Sequence, residues 1–211
     1  MNIIKVCGLN NLNNINEISK IEEITHIGAI FYEKSPRFVK KIDNKNGFKN
    51  STKNVVGVFV NSSIENILKE IEEYNLNSVQ LHGNESPEFC KELSKYTTVY
   101  KAIGVDKTTN FNTLKNYENY ISAFIFDTKY NAFGGSGNKF DWEKLEEYNL
   151  SKNFLLSGGI SPNDFNEIKR INHKKICGID LNSKFEITPG QKDILAIKTF
   201  VKNLKYTKQE E

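Results

Sequence analysis

Eight short apolar runs, rich in Val, Ile and Phe, recur at fairly even intervals along the 211 residues. They are Ile3–Val6, Ile27–Phe31, Val55–Val60, Ser78–Leu81, Val99–Ile103, Ala123–Phe126, Phe154–Leu156 and Ile176–Leu181. Between most of them the apolar spacing becomes helical. Ile15, Ile18 and Ile21 share one face, as do Ile64, Ile67, Leu68 and Ile71, then Phe89, Cys90 and Leu93, then Phe165, Ile168 and Ile171. Ile194, Ile197 and Val201 form a closing stripe. Strands that alternate with helices are parallel, because each crossover must carry the chain back to the starting end of the sheet. Eight such units in just over 200 residues fit a single closed (βα)8 (TIM) barrel, whose usual lower size is about 200 residues. An open doubly wound sheet is the alternative, and eight runs of similar length with a terminal helix favour closure.

Ser86-Pro87 and Ser161-Pro162 read as helix starts, a capping serine followed by proline in the first turn. Asp141 and Trp142 read the same way. The weakest unit is Lys40–Asn54, rich in Lys and Asn with Gly47 inside, where a short or irregular helix is expected. The barrel domain is expected over residues 1–206, with residues 207–211 a frayed tail.

Composition excludes several classes of partner. Charged residues make up 26% and the net charge is only +3, which gives no bias toward nucleic acid or acidic partners. No run approaches the roughly 18 apolar residues of a membrane span. The first residues lead straight into a strand with no signal-peptide pattern. Cys7, Cys90 and Cys177 are odd in number and widely spaced, which suits neither a disulfide framework nor a zinc site. A reducing compartment, the cytoplasm, is the expectation.

In such a barrel the chemistry lies at the C-terminal strand tips and the loops after them. The sixth run ends on Asp127 and leads to a loop holding Gly134, Gly135, Ser136 and Gly137, a combination that suits a small anionic ligand. In the first run Lys5 and Cys7 share a face, which is interior if Ile4 and Val6 pack on helices. Cys7 is then at the mouth, able to act as base or nucleophile, and a nearby Lys5 ammonium is expected to raise its thiolate fraction. Arg37 follows the second run in a chain that otherwise uses Lys. Its flat fork grips a carboxylate or phosphate through two hydrogen bonds, although an ion pair is the plainer use of it. Gln80 and His82 share a face at the fourth tip, where His82 could bond a ligand or move a proton. His26, His173 and Arg170 read as structural. Gly158 and Gly159 at the seventh tip, with Asn182 and Ser183 at the eighth, mark the usual phosphate position of this fold.

These stretches resemble the phosphoribosylanthranilate isomerase family of tryptophan biosynthesis. The likeness rests on Lys5-Val6-Cys7-Gly8-Leu9, Gly28 to Val39, Gln80-Leu81-His82-Gly83 with Glu85, Phe126-Asp127-Thr128, Ser157-Gly158-Gly159-Ile160, and Asp180 with Ser183, Glu186, Pro189-Gly190 and Lys192-Asp193. Six motifs in the family's order cover nearly the whole chain. The resemblance implies an Amadori rearrangement of N-(5-phosphoribosyl)anthranilate, with Cys7 as general base and Asp127 as general acid. It implies that Arg37 holds the anthranilate carboxylate, and that Gly158, Gly159 and Ser183 hold the phosphate under the loop carrying Gly135 and Ser136. Gln80, His82 and Asp180 would contact substrate. A raised pKa is expected for Asp127. No metal or organic cofactor is called for, because the iminium formed from the aminosugar is itself the electron sink. The implied enzyme is a monomer or homodimer, with docking on neighbouring pathway enzymes as a further possibility.

The chain departs from the family where Asn182 and Lys184 replace small residues, Lys184 standing for a common glycine, and where Asn10 replaces a common threonine. Among rivals, an aminoimidazole-ribotide isomerase would carry an Asp base on the first strand and a half-barrel repeat. A metal-dependent epimerase would need several His and carboxylates at the tips. A non-catalytic barrel that binds an anionic metabolite or a partner protein is the alternative of a different class, and it would tolerate loss of Cys7 and Asp127.

Overall fold

The computed structural model describes residues 1–39, 45–129 and 139–205. Eight parallel strands close into a barrel in sequence order: β1 (Ile3–Val6), β2 (His26–Ile30), β3 (Asn54–Phe59), β4 (Ser78–Leu81), β5 (Thr98–Val105), β6 (Ala123–Thr128), β7 (Asn153–Leu156) and β8 (Ile176–Leu181). The ring closes where β1 pairs with β8, a register that sets Lys5 level with Asp180. The open-sheet alternative is thereby excluded.

Alternation along the strands sorts side chains into two cores. Ile4, Val6, Ile27, Val79, Leu81, Phe124, Phe126 and Leu181 point outward and are buried under the helices. Inside the barrel, Val56, Tyr100, Ala102, Ala123, Ile125 and Leu155 form an apolar plug at the lower end. Above it the interior turns polar. Lys5, Gln80 and Asp180 are all buried, and above them Cys7 packs with Ile30 and Val58.

The helices α1 (Leu12–Ser19), α2 (Lys45–Lys49), α3 (Ile64–Tyr74), α4 (Pro87–Leu93), α5 (Phe165–Arg170) and α6 (Ile194–Lys205) cover the barrel. Asn11, Ser63 and Ser86 cap α1, α3 and α4, each accepting a hydrogen bond from the backbone N–H three residues on. Residues 40–44 of the weak unit lie outside the described residues, and its described part holds the five-residue α2.

One expectation needs correction. The helix after β7 begins at Phe165 rather than beside Ser161. Asp164 sits at its start and accepts the Ser161 backbone N–H at 2.7 Å, so the serine is held by the turn rather than capping a helix. The crossovers before β6 and β7 are 3-10 helices, Phe111–Tyr120 and Trp142–Glu147. Their apolar residues explain this. Phe111, Leu114, Tyr117 and Tyr120 recur every third residue, and so do Trp142, Leu145 and Tyr148, which is the 3-10 period rather than the α-helical one. Sequence reading also missed a small hairpin after β8, β9 (Glu186–Thr188) with β10 (Gln191–Lys192).

Candidate active site

One cavity opens at the C-terminal end of the barrel. Its walls include Cys7, Arg37, Gln80, His82, Asp127, Gly158, Gly159, Asp180, Asn182 and Ser183, so ten of the twelve residues singled out from sequence converge there. The other two, Gly135 and Ser136, lie outside the described residues.

The side of the cavity near β1 and β8 is charged. The Lys5 ammonium donates to Asp180 Oδ2 at 2.8 Å, with both side chains almost fully buried. Burial works against the Lys5 charge, but Asp180 and Cys7 outweigh it and hold the ammonium above its ordinary range. Cys7 departs from expectation. Burial pushes its thiol up, and the nearby Lys5 charge only partly offsets this. Sequence showed the neighbour but not the depth: Cys7 is 3% exposed.

Arg37 is brought in by a tight loop. The chain turns after β2, Val39 N–H returns to Ile30 O at 2.9 Å, and Phe38 bridges to Ile30. The Arg37 fork is already engaged, with Nε donating to Glu186 Oε1 at 2.9 Å and Nη2 to Oε2 at 2.7 Å. The ion pair considered from sequence is thus present, and it is buried.

The opposite side, at β4 and β6, has a different character. Asp127 Oδ1 accepts the Thr128 backbone N–H at 2.7 Å. Burial nevertheless pushes its carboxyl up to about 6, against that bond and the pull of Lys5. The expected rise is present. His82 Nε2 lies 3.7 Å from Asp127 Oδ2, beyond a hydrogen bond. Its Nδ1 is 3.0 Å from Gln80 Nε2, an assignment that leaves the other ring nitrogen to carry the proton. Burial first, then the charge of Lys101, pushes His82 down to about 4, so it is neutral near pH 7 and a poor proton carrier there.

Gly158 and Gly159 both have positive φ, 80° and 67°. A Cβ at Gly158 would lie 2.4 Å from Thr128 N and 2.7 Å from Asp127 Oδ1, so only glycine fits beside the acid. Asp180 Oδ1 and Gln80 Oε1 are buried with no hydrogen-bond partner among the described residues. Both belong to residues that line the cavity.

Residues 4–203 match the family model for N-(5'-phosphoribosyl)anthranilate (PRA) isomerase. The chain belongs to the PRA isomerase family. A PRA isomerase of Parabacteroides distasonis is 42% identical over 96% of this chain and 93% of its own length. A crystal structure of monomers generated from the dimeric enzyme of Thermotoga maritima superposes with a TM-score of 0.82 at 31% identity, covering 97% of this chain and 99% of that one. A PRA isomerase in complex with reduced 1-(o-carboxyphenylamino)-1-deoxyribulose 5-phosphate gives 0.79 at 30% identity, covering 97% and 99%.

Within this PRA isomerase framework, His26 and His173 have backbone and side-chain partners away from the cavity, as their structural reading required. Lys184, which stands for a common glycine, is exposed to solvent. Sequence reading assigned no role to Lys192, although it stands inside a family motif. Its ammonium is buried, 2.6 Å from Glu186 Oε1 and 2.7 Å from Asn182 Oδ1. Its signal was an isolated Lys two residues after a Pro-Gly turn, and nothing in that context shows burial. No helix among the described residues is long and apolar enough to cross a membrane.

Proposed function

We propose that Asp127 and Cys7 are the acid and base of the family's reaction. The protein is an isomerase of tryptophan biosynthesis that converts N-(5'-phosphoribosyl)anthranilate to 1-(2-carboxyphenylamino)-1-deoxyribulose 5-phosphate. Asp127 gives its proton to the furanose ring oxygen. The bond from that oxygen to C1' breaks, and the nitrogen lone pair forms an iminium. The Cys7 thiolate then removes the C2' proton. The electrons released form a C1'–C2' double bond and neutralise the nitrogen, giving an enol that tautomerises to the ketone. Atoms and charge balance without a co-reactant.

The observation that carries the assignment is the contrast between the two groups in one cavity. Asp127 is half-buried beside His82, and burial outweighs the more distant pull of Lys5, which favours a carboxyl that keeps its proton. Cys7 stands beside a Lys ammonium, which favours a thiolate once formed. Arg37 takes the anthranilate carboxylate through whatever part of its fork Glu186 leaves free. Gly158, Gly159, Asn182 and Ser183 take the phosphate, while Gln80, His82 and Asp180 face the sugar. The catalytic unit is the barrel over residues 1–206. The buried or half-buried thiols, all free, fit a reducing cytoplasm.

The deciding test is turnover of freshly prepared N-(5'-phosphoribosyl)anthranilate. Wild-type protein is expected to form product, whereas Cys7→Ala and Asp127→Asn are expected to bind the reduced product analogue without turnover. A wild-type protein that binds the analogue but never forms product supports the non-catalytic barrel instead.

A further inference from the structure

Three buried ammonium groups lie near the C-terminal end of the barrel, and they are not equivalent. Lys5 is matched by Asp180, and Lys101 by Glu85. Lys192 shares its carboxylate. Glu186 accepts from Lys192 Nζ at 2.6 Å while also gripping Arg37 through both its oxygens. Two cations on one carboxylate leave a net positive charge, with the three side chains 0%, 10% and 5% exposed for Lys192, Arg37 and Glu186. Placing uncompensated charge where water cannot reach it is costly, and an arriving anion removes that cost.

The same ammonium fixes the Asn182 amide. An ammonium has only donors, so the Asn182 atom 2.7 Å from it must be the oxygen. The NH2 half of the amide is therefore the half left for a ligand, and Asn182 lines the cavity beside Ser183 and Gly159. Lys192 is itself held at both backbone atoms. Asn14 Nδ2 donates to its carbonyl at 2.9 Å, and its N–H donates to Asn14 Oδ1 at 2.8 Å. Gly8, with φ +74°, lets the cluster close. A Cβ there would lie 2.8 Å from Asn182 Oδ1 and 2.7 Å from Arg37 Cδ.

We propose that Lys192 is a positioning residue for the substrate phosphate: it turns the donor side of Asn182 toward the mouth and supplies the buried positive charge that a bound dianion neutralises. The inference rests on the isomerase reading only for the identity of the dianion.

The charged and titratable groups facing Lys192 are Glu186 from β9, Arg37 from the loop after β2, and Cys7 from the end of β1. Burial pushes the Lys192 ammonium down to about 8, with Glu186 offsetting part of the fall. It is therefore charged below that pH and neutral above it. Sulfate is a suitable probe because it remains a dianion throughout this range. A Cys7→Ser background removes the thiol titration.

In that background, sulfate affinity is expected to fall about tenfold between pH 7 and 9.5. Adding Lys192→Met is expected to weaken sulfate about tenfold at pH 7 and to flatten the pH dependence. This substitution leaves Arg37 and Glu186 as a balanced pair, so no buried charge is orphaned. Asn182→Ala is expected to weaken sulfate while keeping part of the pH dependence. With Cys7 intact, Lys192→Met should raise KM about tenfold and change kcat far less.

A sulfate affinity that stays flat from pH 7 to 9.5 with Lys192 present overturns the proposal, and that measurement needs no folded Lys192 variant. Full wild-type pH dependence in Lys192→Met also overturns it. If the sulfate results hold while wild-type protein forms no product from N-(5'-phosphoribosyl)anthranilate, the anion site stands and the isomerase reading falls.

Discussion

The two sides of the cavity face the same space with opposite electrostatic designs. The side built by β8, β1 and the loop after β2 carries Lys5, Arg37 and Lys192 against Asp180 and Glu186, an excess of one positive charge. The side built by β4 and β6 presents Gln80, His82 and Asp127. The cation that acts most on His82 is Lys101, which lies behind the sheet and is paired with Glu85 at 3.2 Å. In the proposed reading, a thiolate and two anionic substrate groups belong on the first side. A carboxyl that must keep its proton belongs on the second. On that reading the acid and base differ by their surroundings as well as by residue type: the Lys5 charge offsets part of the burial that pushes the Cys7 thiol up, whereas burial prevails at the Asp127 carboxyl.

The largest effects come from breaking that contrast at its centre. Cys7→Ala and Asp127→Asn are each expected to lower kcat by about 10²–10⁴-fold or more, measured as product formation at saturating substrate. The pH profile tests the assignment more finely. Burial keeps Cys7 protonated through neutral pH, so the productive form is protonated Asp127 with ionised Cys7. That form grows with pH until Asp127 starts to ionise near 6, stays level, and declines once the thiol has titrated. Wild-type kcat/KM should therefore be half-maximal near pH 6 on its acid side. In Asp127→Asn the residual rate should lose that shoulder and keep rising toward the thiol pKa. A shoulder that survives in the variant belongs to another group.

The next effect is on stability. Asp180→Leu strands the buried Lys5 ammonium, and Lys5→Met strands the Asp180 carboxylate. Each is expected to cost about 3–5 kcal/mol in urea unfolding. The double variant Lys5→Met/Asp180→Leu should recover most of that loss while leaving Cys7 without its cation. A double variant as unstable as either single one would mean that packing, rather than orphaned charge, sets the cost. Gly158→Ala should do less to stability and more to rate. Its methyl group would push into Thr128 and Asp127. A strained backbone of this kind costs about 1–3 kcal/mol, and kcat should fall about tenfold.

How much of this was legible in sequence varies with the range of the contact. The eight strands and the placement of Cys7 and Asp127 at the same end of the barrel were legible because alternation and strand tips are local patterns. The 3-10 crossovers were written as period-three stripes, Phe111 to Tyr120 and Trp142 to Tyr148, and escaped a reading tuned to 3.6. The sign of the Cys7 shift was not legible, because a neighbour two residues away is visible in sequence and desolvation is not. Glu186 and Lys192 could be matched to a family motif, yet their work depends on Arg37, which lies 149 residues before Glu186. Asn182 was visible as a departure, but its orientation needed the ammonium beneath it.

The smallest expected effect is the sharpest check on the uncharged side. Lys101 lies directly behind His82, donating to Gly83 O at 2.8 Å and to Glu85, while Glu85 accepts the Gly83 N–H at 2.9 Å. Together they hold the turn that carries His82. If their charges cancel locally, as the 3.2 Å pairing implies, replacing both by Lys101→Met and Glu85→Gln removes no net charge. The acid-side shoulder of kcat/KM should then move by less than about half a pH unit, equivalent to about 0.7 kcal/mol. Lys101→Met alone removes one charge and should do more. His82 would gain basicity, since burial and Lys101 are the two largest influences holding it at about 4. A His82 that charges more readily draws Asp127 into an ion pair and pulls the shoulder to lower pH. NMR titration of the His82 ring would read the first change and the rate profile the second. A double variant whose shoulder moves as far as that of the single one would show that Lys101 reaches Asp127 uncompensated, and the contrast between the two sides would lose its physical basis.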